Sequence, residues 1–138
     1  MRLAIYYPIH FIGIFLLFLT IGGMCIYVRN GGEKSENPSR KFLAITHGIA
    51  LVMVIVGGMG LMKFYGAFNP MPSWIIIKLC IWLILGFSSM IIYKLPKLST
   101  LFLFIFLALG AFAGLTAKFK SLDFYNTMLN QNAEQPSN

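Results

Sequence analysis

Apolar residues in this chain gather into four runs, about Leu3 to Val28, Phe42 to Tyr65, Ser73 to Tyr93 and Leu98 to Ala117, separated by short polar stretches. A helix needs roughly 20 apolar residues to cross the hydrocarbon layer of a bilayer, and each run is long enough to cross once. Short links between spanning helices make sequential neighbours antiparallel. The pattern predicts an all-α fold, an integral membrane four-helix bundle running up-down-up-down over residues 1 to 117. Tyr6, Tyr7, Tyr27, Tyr65, Trp74 and Tyr93 fall at the run boundaries, where amphipathic rings settle at the membrane surface.

Between the runs the chain has turn chemistry. RNGGEKSENPSRK, Arg29 to Lys41, combines glycines, a proline and charges, and predicts a solvated loop. GAFNPMP, Gly66 to Pro72, ends one helix with prolines and offers Ser73 as the N-cap of the next. KLPK, Lys94 to Lys97, is a tight basic turn. Residues 118 to 138 read as a polar tail: NQNAEQPSN has a disordered composition, while Phe119, Leu122, Tyr125 and Leu129 recur at the spacing of a short helix on the membrane surface.

Composition agrees with this reading. At 58% hydrophobic and 11% charged residues, with mean hydropathy +0.78, the 138-residue chain has too little polar surface to coat a soluble globule. A net charge of +7 would point a soluble protein toward nucleic acid. Here the cations border apolar runs, so the expected partner is the lipid bilayer and no nucleic acid. Arg29, Lys34, Arg40, Lys41, Lys94 and Lys97 share the face of the first and third links, against Arg2, Lys63, Lys118 and Lys120 on the other. The positive-inside rule then places those links in the cytoplasm and both termini outside. The first run is longer than a signal-peptide core and lacks an Ala-x-Ala exit, so it is expected to stay as a helix. Cys25 and Cys80, inside runs and without Cys-x-x-Cys spacing, read as packing residues. The glycines, among them Gly57, Gly60, Gly86, Gly110 and Gly114, suit close helix approach.

Candidate chemistry rests on three polar side chains at membrane depth: His10, His47 and Lys78. With a rise of about 1.5 Å per residue, His10 and Lys78 lie in one leaflet, whereas His47 lies in the other, roughly 15 Å away in depth. One haem gripped by both histidines is not expected. A His/Met pair is open to each, with Met59 and Met62 near His10 and Met24 and Met90 near His47. Lys78 either snorkels past Trp74 to the surface or pairs with an anionic ligand such as a porphyrin propionate. No Asp or Glu occurs within a run, which leaves no internal carboxylate relay and disfavours a cation transporter. Nor is there a Ser-His-Asp set, a zinc-spaced cluster or a phosphate-binding glycine loop.

A His early in the first run (YYPIHFIGIF), a His opening the second (ITHGIALVMVIVGGMGLM) and a Trp-x-x-x-Lys opening the third (PSWIIIKLCIWLILG) resemble the SirB-type small bacterial membrane proteins. The resemblance covers about residues 1 to 117 and rests on His10, His47, Trp74, Lys78 and Gly86. The first His and the Trp-x-x-x-Lys also look like the HemJ-type protoporphyrinogen oxidase and CopD-type families, in which related helices are associated with haem, porphyrin or copper. SirB-type second helices usually carry an Asp shortly after the His, where Ile49, Ala50 and Leu51 stand here. The resemblance implies a bacterial inner-membrane protein. The leading expectation is a haem- or porphyrin-associated redox protein, with His10 and His47 as candidate metal ligands to haem b and Lys78 as the propionate partner. The alternative is a non-catalytic accessory or scaffold subunit packed against partner membrane subunits.

Overall fold

The structure is a computed structural model and describes residues 3–64 and 72–116. The described residues are helical apart from turns: α1 (Leu3–Arg29), α2 (Arg40–Phe64), α3 (Ser73–Gly86), α4 (Ser88–Lys94), a 3-10 turn (Pro96–Leu98) and α5 (Ser99–Leu115). Three helical stretches, α1, α2 and α5 together with the 3-10 turn before it, are each long and apolar enough to cross a membrane. The third apolar run is not one straight helix. It breaks between α3 and α4, whose axes diverge by 41°.

That break follows from its residues. Gly86 contributes no side chain to hold the helix and is followed closely by Ser88 and Ser89, the Gly/Ser combination at which sharp kinks occur. The Met90 N–H bonds to the Phe87 carbonyl at 3.1 Å, one residue short of its regular helical partner, Gly86.

Helix α1 is the centre of the fold. It supplies Leu17, Ile21, Met24, Cys25 and Val28 to the buried core, to which Ala50, Ile81, Leu85, Ile92 and Phe106 are added from the other helices. Its closest partner is α2, in antiparallel register: Gly60 faces Tyr6, Gly57 faces His10, Gly13 faces Met53 and Val54, and Gly23 faces Leu43. A Cβ on Gly13 would come within 2.8 Å of the Met53 Cβ, and one on Gly57 within 2.7 Å of the His10 backbone nitrogen. Only hydrogen at these positions lets the two backbones meet this closely. Gly110 of α5 likewise makes room for the Phe18 ring. Outward-facing side chains are as apolar as the core, with Phe15 73% and Leu19 69% exposed, as a lipid-facing surface requires.

Three local expectations are corrected. The residue that precedes α3 as its cap is Pro72, with no side-chain cap bond, and Ser73 is already helical. The first link is not simply solvated: Asn37 is buried, its Nδ2 donates to Tyr93 Oη at 3.0 Å, and its Oδ1 accepts from the Ser39 N–H at 2.9 Å. Gly31, at φ +84°, turns the chain out of α1 in a conformation that favours glycine, so that Gly32 lies against the Tyr27 ring. Cys25 is buried as a packing residue, but Cys80 faces outward. The tail from residue 118, with its expected surface helix, and residues 65–71 of the second link lie outside the described residues.

Candidate functional site

Helices α2 and α3 are also antiparallel. Trp82 Nε1–H donates to the Leu51 carbonyl at 3.1 Å, and His47 lies against Gly86. Counting four residues back from Trp82 brings Lys78 level with Ile55 of α2. His10 touches Val54 and Gly57 on the same turn of that helix. The expected shared depth of His10 and Lys78 is therefore present, and the two lie within electrostatic reach of each other.

The His10 ring is anchored to α2 by a hydrogen bond and meets the Phe11 ring edge-on. A carbonyl only accepts, so Nδ1–H donates to Val54 O at 2.8 Å, which sets the neutral tautomer and leaves the lone pair on Nε2. The imidazole lies beside Gly58, where a Cβ would make only an ordinary contact with Cε1, at 3.5 Å. Lys78 is half-buried. Its ammonium lies 5.3 Å from the Trp74 ring centroid, one turn back toward the start of α3, in cation–π range. Helices α1 and α3 scarcely touch, so His10 and Lys78 stand at one level on two helices that are not packed together.

His47 is buried within the opposite half of the fold. The Thr20 hydroxyl gives its one proton to the Leu17 carbonyl at 2.8 Å and so accepts from His47 Nδ1–H at 3.2 Å. Nε2 lies 3.5 Å from the Gly86 oxygen, a contact that becomes a hydrogen bond when Nε2 is protonated. Both ring nitrogens thus face groups of the fold itself. Near this break the Ser88 hydroxyl is fully buried without a hydrogen-bond partner among the described residues.

His10 bonds to Val54 and His47 lies seven residues earlier on α2, roughly 10 Å along the helix. They do not converge on one site. Met59 is exposed and Met24 is buried in the core, and among the described residues no group of three or more His, Cys, Asp or Glu is placed to hold a metal ion. Sequence reading missed Thr20, the Gly86 carbonyl and Trp82 as polar partners. Counting residues across an antiparallel α1–α2 pair brings the level of Thr20 opposite His47, but not the face that Thr20 occupies.

Comparison of the chain with family models, curated proteins and solved structures found no match.

Proposed function

We propose that the chain is a four-span membrane bundle, α3 and α4 together forming one bent span, that binds haem or a related porphyrin on the α1–α3 side through His10. The observation that carries this reading is the His10 Nδ1–H bond to Val54 O at 2.8 Å. Metal-ligating histidines characteristically anchor one ring nitrogen on a carbonyl or carboxylate, fixing the ring and raising the basicity of the other nitrogen. The residues present suit such a group: Nε2 of His10 would hold its iron and the Lys78 ammonium would pair with a propionate, with no carboxylate in the predicted spans to compete for it. When bound, haem would supply one-electron redox chemistry. His47 has a structural part in this reading, since its ring joins α1, α2 and α3. The likeness to SirB-type proteins, a bacterial inner-membrane location and the cytoplasmic placing of the first and third links belong to the same proposal.

Expression under haem-replete conditions, purification in detergent and an absorbance spectrum test the reading. A Soret band is expected in the wild type and in His47→Ala, weakened in Lys78→Met and lost in His10→Ala. A colourless wild-type protein, or a band indifferent to His10, would sink it.

One observation favours a second reading, the accessory subunit. Along α5, Ala108, Ala111 and Gly114 are exposed on the outside of the fold, and a Cβ on Gly114 would meet nothing within 4 Å. Such small residues admit a close helix from another subunit. Co-purification of one defined membrane partner, lost on Gly114→Leu, would support it; a monomer with no partner after mild solubilisation would oppose it.

A further inference from the structure

We infer that the cleft between the first link and the end of α4 binds the phosphate of an anionic phospholipid. This cleft, of about 700 Å³, is lined by Lys34, Arg40 and Lys94, with Tyr93 as its aromatic wall and Glu33 as the one carboxylate among its lining residues. Three cations against one carboxylate leave it positive. Lys34 lies 5.6 Å from the Tyr93 ring centroid, so its ammonium is held beside the aromatic wall.

Helix α2 strengthens the field. Its first turn contains Arg40 and Lys41 and no acidic residue. A helix N-terminus carries partial positive charge and is ordinarily compensated by an acidic side chain. Two cations there add to that positive end, and phosphate oxygens accept from Arg and Lys side chains. The frame is also built: the Asn37 bond to Tyr93 Oη at 3.0 Å and the Ser39 N–H bond to Asn37 Oδ1 fix the link across the mouth of α4.

Position identifies the source of the phosphate. Arg29 ends α1, Arg40 starts α2 and Lys94 ends α4, so the cleft opens at the end of the apolar spans, where lipid headgroups lie. A free phosphate ion would meet the same cations without needing that level.

Native mass spectrometry of the full chain in neutral detergent, titrated with phosphatidylglycerol, phosphatidylcholine or inorganic phosphate, distinguishes the sources. Phosphatidylglycerol should be retained at lower concentration than phosphatidylcholine, and millimolar inorganic phosphate should not displace it. Each cation removed from the cleft, as in Lys94→Gln or the triple Lys34→Gln/Arg40→Gln/Lys94→Gln, should weaken that retention roughly fivefold. A Lys97→Gln variant, with its charge at the same end but outside the cleft, should bind as the wild type does. Equal retention of the two lipids, full displacement by inorganic phosphate, or an equal loss in Lys97→Gln and Lys94→Gln would overturn the inference. The single variant keeps the test decisive if the triple variant fails to fold.

Discussion

Nε2 of His47 lies 3.5 Å from the carbonyl oxygen of Gly86, the oxygen that the break between α3 and α4 withdraws from regular helical bonding. Nδ1 of the same ring meets Thr20 of α1 at 3.2 Å. One imidazole on α2 thus ties the central helix to the edge of the kink.

Removing that imidazole should loosen the kink. His47→Leu removes the Nδ1–H bond to Thr20 and the ring packed against Gly86 and should cost about 1 to 2 kcal/mol, while Thr20→Val should cost roughly 0.6 kcal/mol, the average for side-chain hydrogen bonds between spanning helices. Because the two side chains share one contact, the double variant should lose less than the sum. Unfolding in mixed micelles measures it, and strictly additive losses would show that the contact is not energetically coupled.

Two glycines of α2 should respond to alanine in opposite directions. At Gly57 a methyl group would come within 2.7 Å of His10 backbone, which cannot rotate away, so Gly57→Ala should destabilise by about 1 to 3 kcal/mol. At Gly48 nothing lies within 4 Å, and Ala should stabilise by up to about 1 kcal/mol through its better helix propensity. The same unfolding assay compares them. Equal shifts would contradict the α1–α2 register.

The first link should become easier to cleave when its anchor is removed. Tyr93→Phe removes one hydrogen bond and keeps the ring beside Lys34, whereas Asn37→Ala removes that bond and the one from the Ser39 N–H. Limited proteolysis between residues 30 and 39 should therefore accelerate modestly in Tyr93→Phe and more in Asn37→Ala, at about 1 kcal/mol per bond. Unchanged cleavage in both would mean that the link is held by something else.

Cysteine labelling reads the outer surface directly. Cys25 is 2% exposed in the core, and Cys80 faces outward from α3. In mild detergent, N-ethylmaleimide should modify Cys80 and leave Cys25 until the protein is denatured. Mass spectrometry counts the adducts, and early labelling of Cys25 would place α1 at the surface instead of the centre.

The ends of α1, α2 and α5 fall within about two residues of those expected from the apolar runs, because the length of such a run is itself the physical requirement for spanning. The shared depth of His10 and Lys78 was also legible, since rise per residue converts position into height. Rotation about the helix axis was not. Whether Thr20 or its neighbours meet His47 depends on which face of α1 contacts α2, and Gly13, Gly57 and Gly60 set that face only once both helices are present. The break after Gly86 escaped for a related reason: hydropathy counts side chains, whereas the break lies in the backbone bonding around Phe87. In the first link, Asn37 reads as a turn residue, and its burial depends on Tyr93, distant in sequence.

The glycine-lined seam between α1 and α2 has a mechanical consequence. Two of its polar fastenings, His10 on Val54 and His47 on Thr20, sit apart along one pair of rods. Sliding or twisting one rod by a single notch would unfasten both together. A motion that swings the other segments around this hairpin keeps both fastenings, whereas one that shears α1 along α2 breaks them.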